Sequence, residues 1–161
     1  MNILAIDAST KSSGFAVFNE DTKKLIYSTC IKSSSQDTLK RINLMKDKTR
    51  ELIKEYEAGI VVLEDIRPDY NMRTMRPLMY LQSQIAFLLH DEFKDISLEL
   101  IVPSSWRAAC GIHTGRGIKR TELKIADIQF VKDHFNLEVN DDEADAIGIG
   151  YGYLHKKKDF N

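Results

Sequence analysis

The sequence predicts an α/β domain with a mixed five-stranded sheet, in which an antiparallel three-stranded meander is joined by two parallel strands and flanked by helices. Two observations support this prediction. Apolar runs bounded by turn residues occur at positions 2–6, 15–18 and 24–31, a pattern typical of strands joined by hairpins. Two further runs, at 60–63 and 97–102, each follow a segment of helical periodicity, and such crossovers favour parallel pairing.

Length and composition fit one domain over residues 1–161. Hydrophobic residues make up 43% of the 161 positions, which is enough for a stable core without covalent cross-links. The two cysteines, Cys30 and Cys110, are far apart and no signal-peptide pattern is present, so we expect reduced thiols in a cytoplasmic, soluble protein. No apolar segment approaches the length of a bilayer span, and we therefore expect no membrane partner.

The charges nearly cancel, but they are unevenly distributed. The chain has 23 basic and 24 acidic residues, which argues against a simple basic nucleic-acid-binding module. Residues 100–121 contain no acidic residue, and residues 66–90 contain only Asp69. The basic residues in these two stretches are Arg67, Arg73, Arg76, Arg107, Arg116, Lys119 and Arg120. The alternative explanation of this pattern is that the two basic stretches are simply solvent-exposed faces of the protein.

Helical periodicity connects the strands. A first helix is predicted up to Gly59, directly before the strand at 60–63. The connection at 66–77 is expected to be irregular, because it contains two prolines and ends in Pro77. Leucine and isoleucine at helical spacing then predict a second helix over 78–89.

The C-terminal third is predicted to be helical around a glycine-rich loop. Ser104 or Ser105 is expected to cap a short helix, followed by a mobile loop at 111–117 and a helix from Lys119. Asn140 or Asp141 is expected to cap the last helix.

Three glycines interrupt this last helix. Gly148, Gly150 and Gly152 each cost about 1 kcal/mol relative to alanine in a helix interior. We therefore expect them to permit a close approach of the helix to the sheet. The alternative is that the helix ends near Gly148.

Four carboxylates are predicted to meet at one end of the sheet. Asp7 follows the first strand and Glu64 the fourth, and parallel pairing brings these ends together. Asp142 and Asp145 are three residues apart, so they share one face of the last helix. The alternative for Asp7 is that it only starts the Ser/Thr-rich turn after it.

Such a cluster predicts a metal site. Each negative charge raises the pKa values of its neighbours, and a divalent cation offsets that repulsion. Oxygen ligands alone favour Mg²⁺, with Mn²⁺ as a substitute, over zinc. Two ions about 3.5 to 4 Å apart can stabilise the attacking and leaving oxygens of a phosphoryl displacement. The chemistry indicated is hydrolysis of a phosphodiester.

Three acidic motifs resemble those of the RuvC-type Holliday-junction resolvases. They are IDASTKSSG at 6–14, VVLE at 61–64 and DEADAI at 142–147, in the same order and over almost the whole chain. The resemblance implies an RNase H-like fold, a homodimer without a nucleotide cofactor, and paired metal-dependent nicks across a four-way DNA junction. It also implies that the catalytic metal ligands are Asp7, Glu64, Asp142 and Asp145.

The chain departs from the family pattern in two places. Asp65 directly follows Glu64 and could compete as a ligand, but strand alternation points the two to opposite faces, and we choose Glu64. The segment 103–111, with Trp106 and Arg107, is more similar to viral (bacteriophage) members. That similarity implies a location in the host cytoplasm and a substrate range that includes other branched DNA.

The basic stretches are predicted to contact DNA. Arg116, Lys119 and Arg120 flank the glycine loop and suit phosphate contacts; weaker candidates are Arg107, Arg73 and Arg76. Tyr70 could stack on an unpaired base at the junction, or pack on its own loop. Trp106 is interpreted as a core residue. The helix at 78–89 is the candidate two-fold interface.

Three alternatives remain at this point. An ATP-binding protein of the actin and sugar-kinase type has a similar first hairpin, with Asp and then Gly after a few small residues. A RuvC-like nuclease could process structured RNA instead of DNA. A non-catalytic binder could keep the same fold.

Overall fold

The computed structural model describes residues 1–66 and 71–155. Their five strands form one sheet in the order β3-β2-β1-β4-β5. The strands are β1 (Asn2–Asp7), β2 (Ser12–Asn19), β3 (Leu25–Lys32), β4 (Ala58–Glu64) and β5 (Ser97–Ile101). Pairing is antiparallel between β1 and β2 and between β2 and β3, and parallel between β1 and β4 and between β4 and β5. The predicted mixed sheet is confirmed.

Helices cover both faces of this sheet. They are α1 (Thr38–Tyr56), α2 (Met72–Glu92), α3 (Pro103–Ala109), α4 (Arg120–Phe135) and α5 (Asp141–His155). One core cluster joins α1 and α2 to one face, and two others join α3, α4 and α5 to the opposite face. Within the described ranges, none of these helices is both long and apolar enough to cross a bilayer.

Strand alternation decides which side chains meet which helices. In β1, Leu4 and Ile6 face α1 and α2, whereas Ile3 and Ala5 face α3 and α5. Asp7 lies two residues after Ala5 and therefore on the same face as Ile3 and Ala5. The same alternation holds in β4, so the two strand-end carboxylates are directed to the face that α5 covers.

The first helix ends earlier than predicted. It stops at Tyr56, and Glu57 takes the left-handed conformation (φ 49°) that terminates it. Gly59 lies in β4 instead of ending the helix, so that prediction was wrong. The reason is that β4 needs Ala58 and Gly59 to extend its pairing with β1, where Ala58 pairs with Asn2.

The second helix starts earlier than predicted, and Pro77 lies inside it. Asn71 caps this helix by accepting a hydrogen bond from the backbone N–H of Thr74 at 3.1 Å. Pro77 removes only one backbone hydrogen bond, the one to the carbonyl of Arg73. The prediction that residues 66–77 are irregular was therefore wrong for residues 72–77. Tyr70 lies outside the described residues.

The N-terminal caps of α3 and α5 differ in kind. The short helix α3 begins at Pro103, with Val102 as its N-cap, so neither Ser104 nor Ser105 caps it as predicted. Proline suits a first helical position because its missing N–H would have no partner there. For α5, Asn140 is the cap, and its side chain accepts from the N–H of Glu143 at 2.9 Å.

The predicted close approach of α5 is confirmed. The helix continues through its glycines to His155. A Cβ added at Gly148 would lie 2.5 Å from the Trp106 ring, and one at Gly150 would lie 2.5 Å from the ring of Phe18. Because contacts this short do not occur, only glycine permits this packing.

Candidate active site

A cleft of about 960 Å³ opens at the carboxyl ends of β1 and β4. Asp7, Glu64, Asp142 and Asp145 all line it. Three separate parts of the chain therefore bring the predicted carboxylates to one place.

Backbone contacts determine how closely the ends of β1 and β4 and the start of α5 lie to one another. Ile6 pairs with Leu63 in the parallel ladder, so Asp7 and Glu64 follow at the same level. Gly14 pairs with Asp7 on the other side. A Cβ at Gly14 would overlap the backbone carbonyl of Asp142, so glycine there allows the start of α5 to reach the end of β1.

Two of the carboxylates accept hydrogen bonds from protein donors. The indole Nε1 of Trp106 donates to Oε2 of Glu64 at 2.7 Å. The hydroxyl of Ser12 donates to Oδ2 of Asp142. The backbone of Glu64 is held as well, because Nε2 of Gln82 donates to its carbonyl at 2.8 Å. These bonds turn the two carboxylates toward different walls of the cleft.

Arg107 is a largely buried cation of the site. Its Nε donates to both carboxylate oxygens of Asp127 at 3.1 Å, and its Nη2 donates to Oδ2 of Asp127 at 2.8 Å. The same Nη2 lies 3.7 Å from Oδ2 of Asp145. The guanidinium carbon lies 4.1 Å from the centre of the Trp106 ring, within cation–π range.

Burial and mutual repulsion perturb two of the carboxylates. Burial, followed by the charges of Glu64 and Asp142, raises the pKa of Asp7 to about 8. Burial, followed by the charges of Asp7 and Asp127, raises the pKa of Asp145 to about 10. Arg107 opposes both shifts without cancelling them. At neutral pH the protonated form of these two carboxyl groups is therefore favoured.

The donor set fits a hard divalent cation. Oδ1 of Asp145 is buried and accepts no hydrogen bond from a donor of the described residues, while the Asp145 carboxylate lies beside that of Asp127. Such an arrangement needs a proton or a cation beside it. All candidate ligands are carboxylate oxygens, which suit Mg²⁺. Within residues 1–66 and 71–155, however, no three acidic, histidine or cysteine side chains already form a metal-binding group. Repulsion and the separate hydrogen bonds explain why the carboxylates stand apart.

The predicted DNA-contacting cations lie in different settings. Arg73 and Arg120 line the cleft and are exposed. Arg116 and Lys119 are exposed beside it, next to the lining residues of the glycine loop. Arg76 is exposed on α2 and is not one of the described residues that line the cleft. Arg107 differs from all of these, because its side chain is only 11% exposed and is bound to Asp127.

Sequence reasoning missed several residues of the site. Lys11 and Lys124 line the cleft, and Lys124 pairs with Asp141. Ser12, the first residue of β2, contacts Asp142. Trp106 is fully buried, as expected of a core residue, but its N–H also reaches Glu64. One indication of these contacts was present in the sequence, because Lys11 and Ser12 closely follow Asp7 in the chain.

Comparison with known proteins identifies the family. The family model described as "Crossover junction endodeoxyribonuclease RuvC" matches residues 3–150. The crossover junction endodeoxyribonuclease RuvC of Rickettsia conorii is 28% identical over 160 residues, which cover 98% of this chain and 99% of that protein.

Solved structures share the fold. The structure of T. thermophilus RuvC in complex with Holliday junction substrate matches with a TM-score of 0.77 at 13% identity, over 96% of this chain and 93% of that one. The fowlpox virus Holliday junction resolvase matches with a TM-score of 0.64 at 16% identity, over 96% and 98%. The predicted RuvC-type fold is confirmed, and the family match supports the nuclease over the ATP-binding alternative. The chain belongs to the RuvC family of crossover junction endodeoxyribonucleases.

Proposed function

We propose that this endonuclease resolves four-way DNA junctions by paired, metal-dependent nicks and also accepts other branched DNA. The observation that carries the proposal is the cleft lined by Asp7, Glu64, Asp142 and Asp145. Family membership supports the substrate class, and the resolvase of similar fold from T. thermophilus was solved with a Holliday junction.

The metal ligands in this proposal are the four cleft carboxylates. Two Mg²⁺ ions per site, replaceable by Mn²⁺, fit an all-oxygen donor set. A bound divalent ion would supply Lewis acidity and offset the negative charge that develops on a phosphodiester during displacement. The raised pKa values of Asp7 and Asp145 and the unpartnered oxygen of Asp145 support this assignment.

The rim of the cleft would hold the DNA backbone. Arg73 and Arg120 line the cleft, and Arg116 and Lys119 extend the same positive region along the glycine loop. Phosphate contacts of this kind position a duplex without reading its bases. Arg76 and Tyr70 stay predictions, Arg76 on the exposed side of α2 and Tyr70 beyond the described residues.

We propose a homodimer of one-domain protomers, joined through α2. The solvent-facing side of α2 carries four large apolar side chains that are 46 to 62% exposed: Met72, Met79, Tyr80 and Phe87. Helical spacing places them on one face, and a contiguous exposed apolar patch marks an interaction surface. A two-fold contact between copies would bury the patch and present two clefts to one junction.

A cytoplasmic location also belongs to this proposal. Cys30 and Cys110 are both unpaired, as is usual in a reducing compartment. Burial raises the pKa of the Cys110 thiol to about 12, so that thiol is unreactive at neutral pH.

One assay tests reaction, substrate and metal together. A mobile four-way junction, a Y-fork, a linear duplex and a matched RNA junction are incubated with the protein, with and without Mg²⁺. We expect symmetric nicks in the DNA junction, weaker cleavage of the fork and no reaction without Mg²⁺. Preferential cleavage of the RNA junction, or cleavage independent of metal, would contradict the proposal.

A further inference from the structure

Trp106 makes one polar contact that its packing does not require. The ring is fully buried and lies against Gly148 of α5, while Gly152 of α5 lies against the Cβ and backbone of Trp106. A phenylalanine would fill most of this space. What tryptophan adds is the indole N–H, and it donates to Glu64 at 2.7 Å. Buried indole N–H groups need a partner, and here that partner is a carboxylate of the cleft.

Arg107, the next residue on α3, approaches a different carboxylate of the cleft. Its guanidinium is held by Asp127, whose side chain is fully buried, and it lies 3.7 Å from Asp145. Three hydrogen bonds to Asp127 leave the guanidinium little freedom to reach a DNA phosphate. Its position instead directs a positive charge at Asp145.

We propose that Trp106 and Arg107 are positioning residues for the metal site, Trp106 by orienting the carboxylate of Glu64 and Arg107 by holding that of Asp145. The inference rests on the proposed function. It replaces the prediction that Arg107 contacts DNA with a role inside the protein.

Physical chemistry favours this arrangement. Separate carboxylates that repel each other need a rigid support if they are to bind one cation in a defined geometry. The short helix α3 supplies that support from two adjacent residues, and the stacking of Arg107 on the Trp106 ring, at 4.1 Å, couples them. Partners of metal ligands typically change metal affinity or activity by about 10- to 100-fold when they are removed.

The first test is Trp106→Phe, which keeps a buried ring and removes the N–H. Mn²⁺ binding is measured without DNA, from the EPR signal of the free ion. We expect about tenfold weaker Mn²⁺ binding, with unchanged affinity for a four-way junction in EDTA. Phe18→Leu is the matched control, because Phe18 is a buried aromatic residue packed on α5 at Gly150. This control should lower stability without changing Mn²⁺ affinity.

A spectroscopic test uses the single tryptophan of the chain. Mn²⁺ quenches nearby fluorophores, so Trp106 emission should fall on Mn²⁺ addition, with the same midpoint as the EPR titration. Glu64→Gln should shift that midpoint to higher Mn²⁺ concentration. Emission that does not respond to Mn²⁺ would contradict the placement of the metal beside Glu64.

Arg107→Lys separates the two roles of Arg107. Lysine keeps the charge but cannot reproduce the fork of bonds to Asp127. A positioning role predicts weaker Mn²⁺ binding with normal junction affinity in EDTA. A DNA-contacting role predicts the reverse, and that result would overturn the inference for Arg107.

The outcomes distinguish this inference from the proposed function. If the unmodified chain binds Mn²⁺ and nicks junctions while Trp106→Phe binds Mn²⁺ equally well, only the positioning role fails. If the unmodified chain neither binds Mn²⁺ nor nicks, the proposed function and the inference fail together.

Discussion

The helices α5 and α2 pack on opposite faces of the same sheet and are built in opposite ways. Seven of the 15 residues of α5 are buried, including its three glycines; they are Ala144, Ala146, Ile147, Gly148, Ile149, Gly150 and Gly152. By contrast, α2 buries one stripe, formed by Leu81, Ile85, Leu88 and Leu89. Its opposite side exposes large apolar residues, of which Phe87 is 62% exposed.

This difference separates two uses of a helix. A helix that is buried on several sides can pack against the sheet in only one position. In α5 this constraint holds Asp142 and Asp145 over the strand ends. The glycines of α5 lower its helix propensity, but they allow close contact with Trp106 and Phe18. A helix that is half exposed and apolar has a surface left for a second molecule.

The largest expected effect comes from the carboxylates of α5. Asp145→Asn replaces a proposed metal ligand by a neutral amide of the same size, and we expect nicking to fall by roughly a thousandfold, equivalent to about 4 kcal/mol. Junction binding, measured by gel shift without metal, should stay close to normal. Glu143→Gln is the matched control on the same turn, since Glu143 accepts from Ser28 away from the described residues that line the cleft. Equal loss in both variants would contradict the assignment.

The next effect tests the exposed face of α2. Phe87→Glu places a charge in the proposed two-fold contact, and we expect dimer dissociation to rise by about a hundredfold, a loss of roughly 3 kcal/mol. Sedimentation velocity measures the change, and paired nicks should give way to single ones. Ile26→Glu is the control, because Ile26 is 46% exposed on the far edge strand β3. A Phe87→Glu protein that still sediments as a dimer would rule out this interface.

A smaller effect is expected from the packing of α5. In Gly150→Ala the new methyl group would meet Phe18 and Ala5, the latter at 3.1 Å. Overpacking should lower the free energy of unfolding by about 1 to 3 kcal/mol, although alanine favours the helix. Ser83→Ala, on the exposed side of α2, should be neutral or slightly stabilising. Urea denaturation compares the two, and an unchanged midpoint for Gly150→Ala would contradict the tight contact.

The smallest effect concerns the charge of Asp7. Its pKa is raised from 3.8 to about 8, so between these pH values the folded chain retains a proton that the unfolded chain has released. The free energy of unfolding therefore falls as pH rises from about 4 to 8. Asp7→Asn removes this dependence, and we expect its metal-free Tm at pH 8 to exceed that of the unmodified chain by about 2 to 4 °C for each kcal/mol of destabilisation that the variant removes.

That difference should disappear toward pH 4, where both side chains are neutral. Saturating Mg²⁺ should raise the Tm of the unmodified chain more than that of the variant, because the ion binds the folded state through the charged carboxylate. A Tm difference that does not depend on pH would show that neither burial nor the neighbouring charges raise the pKa of Asp7 in the folded chain.

Particular residues show how far the sequence could predict this molecule. The strands and the meander followed from apolar runs, because the apolar period is a local property. The convergence of Asp7 and Glu64 followed from the helical crossover, which favours parallel pairing of the two strands. Pro77 was misjudged because an asparagine cap six residues earlier lets the helix begin before it. Arg107 could not be interpreted from charge patterning, because its partner Asp127 is 20 residues away and the pattern carries no side-chain direction.

The sequence by itself determined the order of the elements, the acidic motifs and the need for a close approach at the glycines of α5. These properties depend on neighbours in the chain and on the steric limits of each residue type. Only the tertiary structure decided that Trp106 bonds Glu64, that Arg107 faces inward and that α2 leaves an apolar face exposed. Those facts arise from contacts between distant segments, and such contacts are set by the packing of all layers at once.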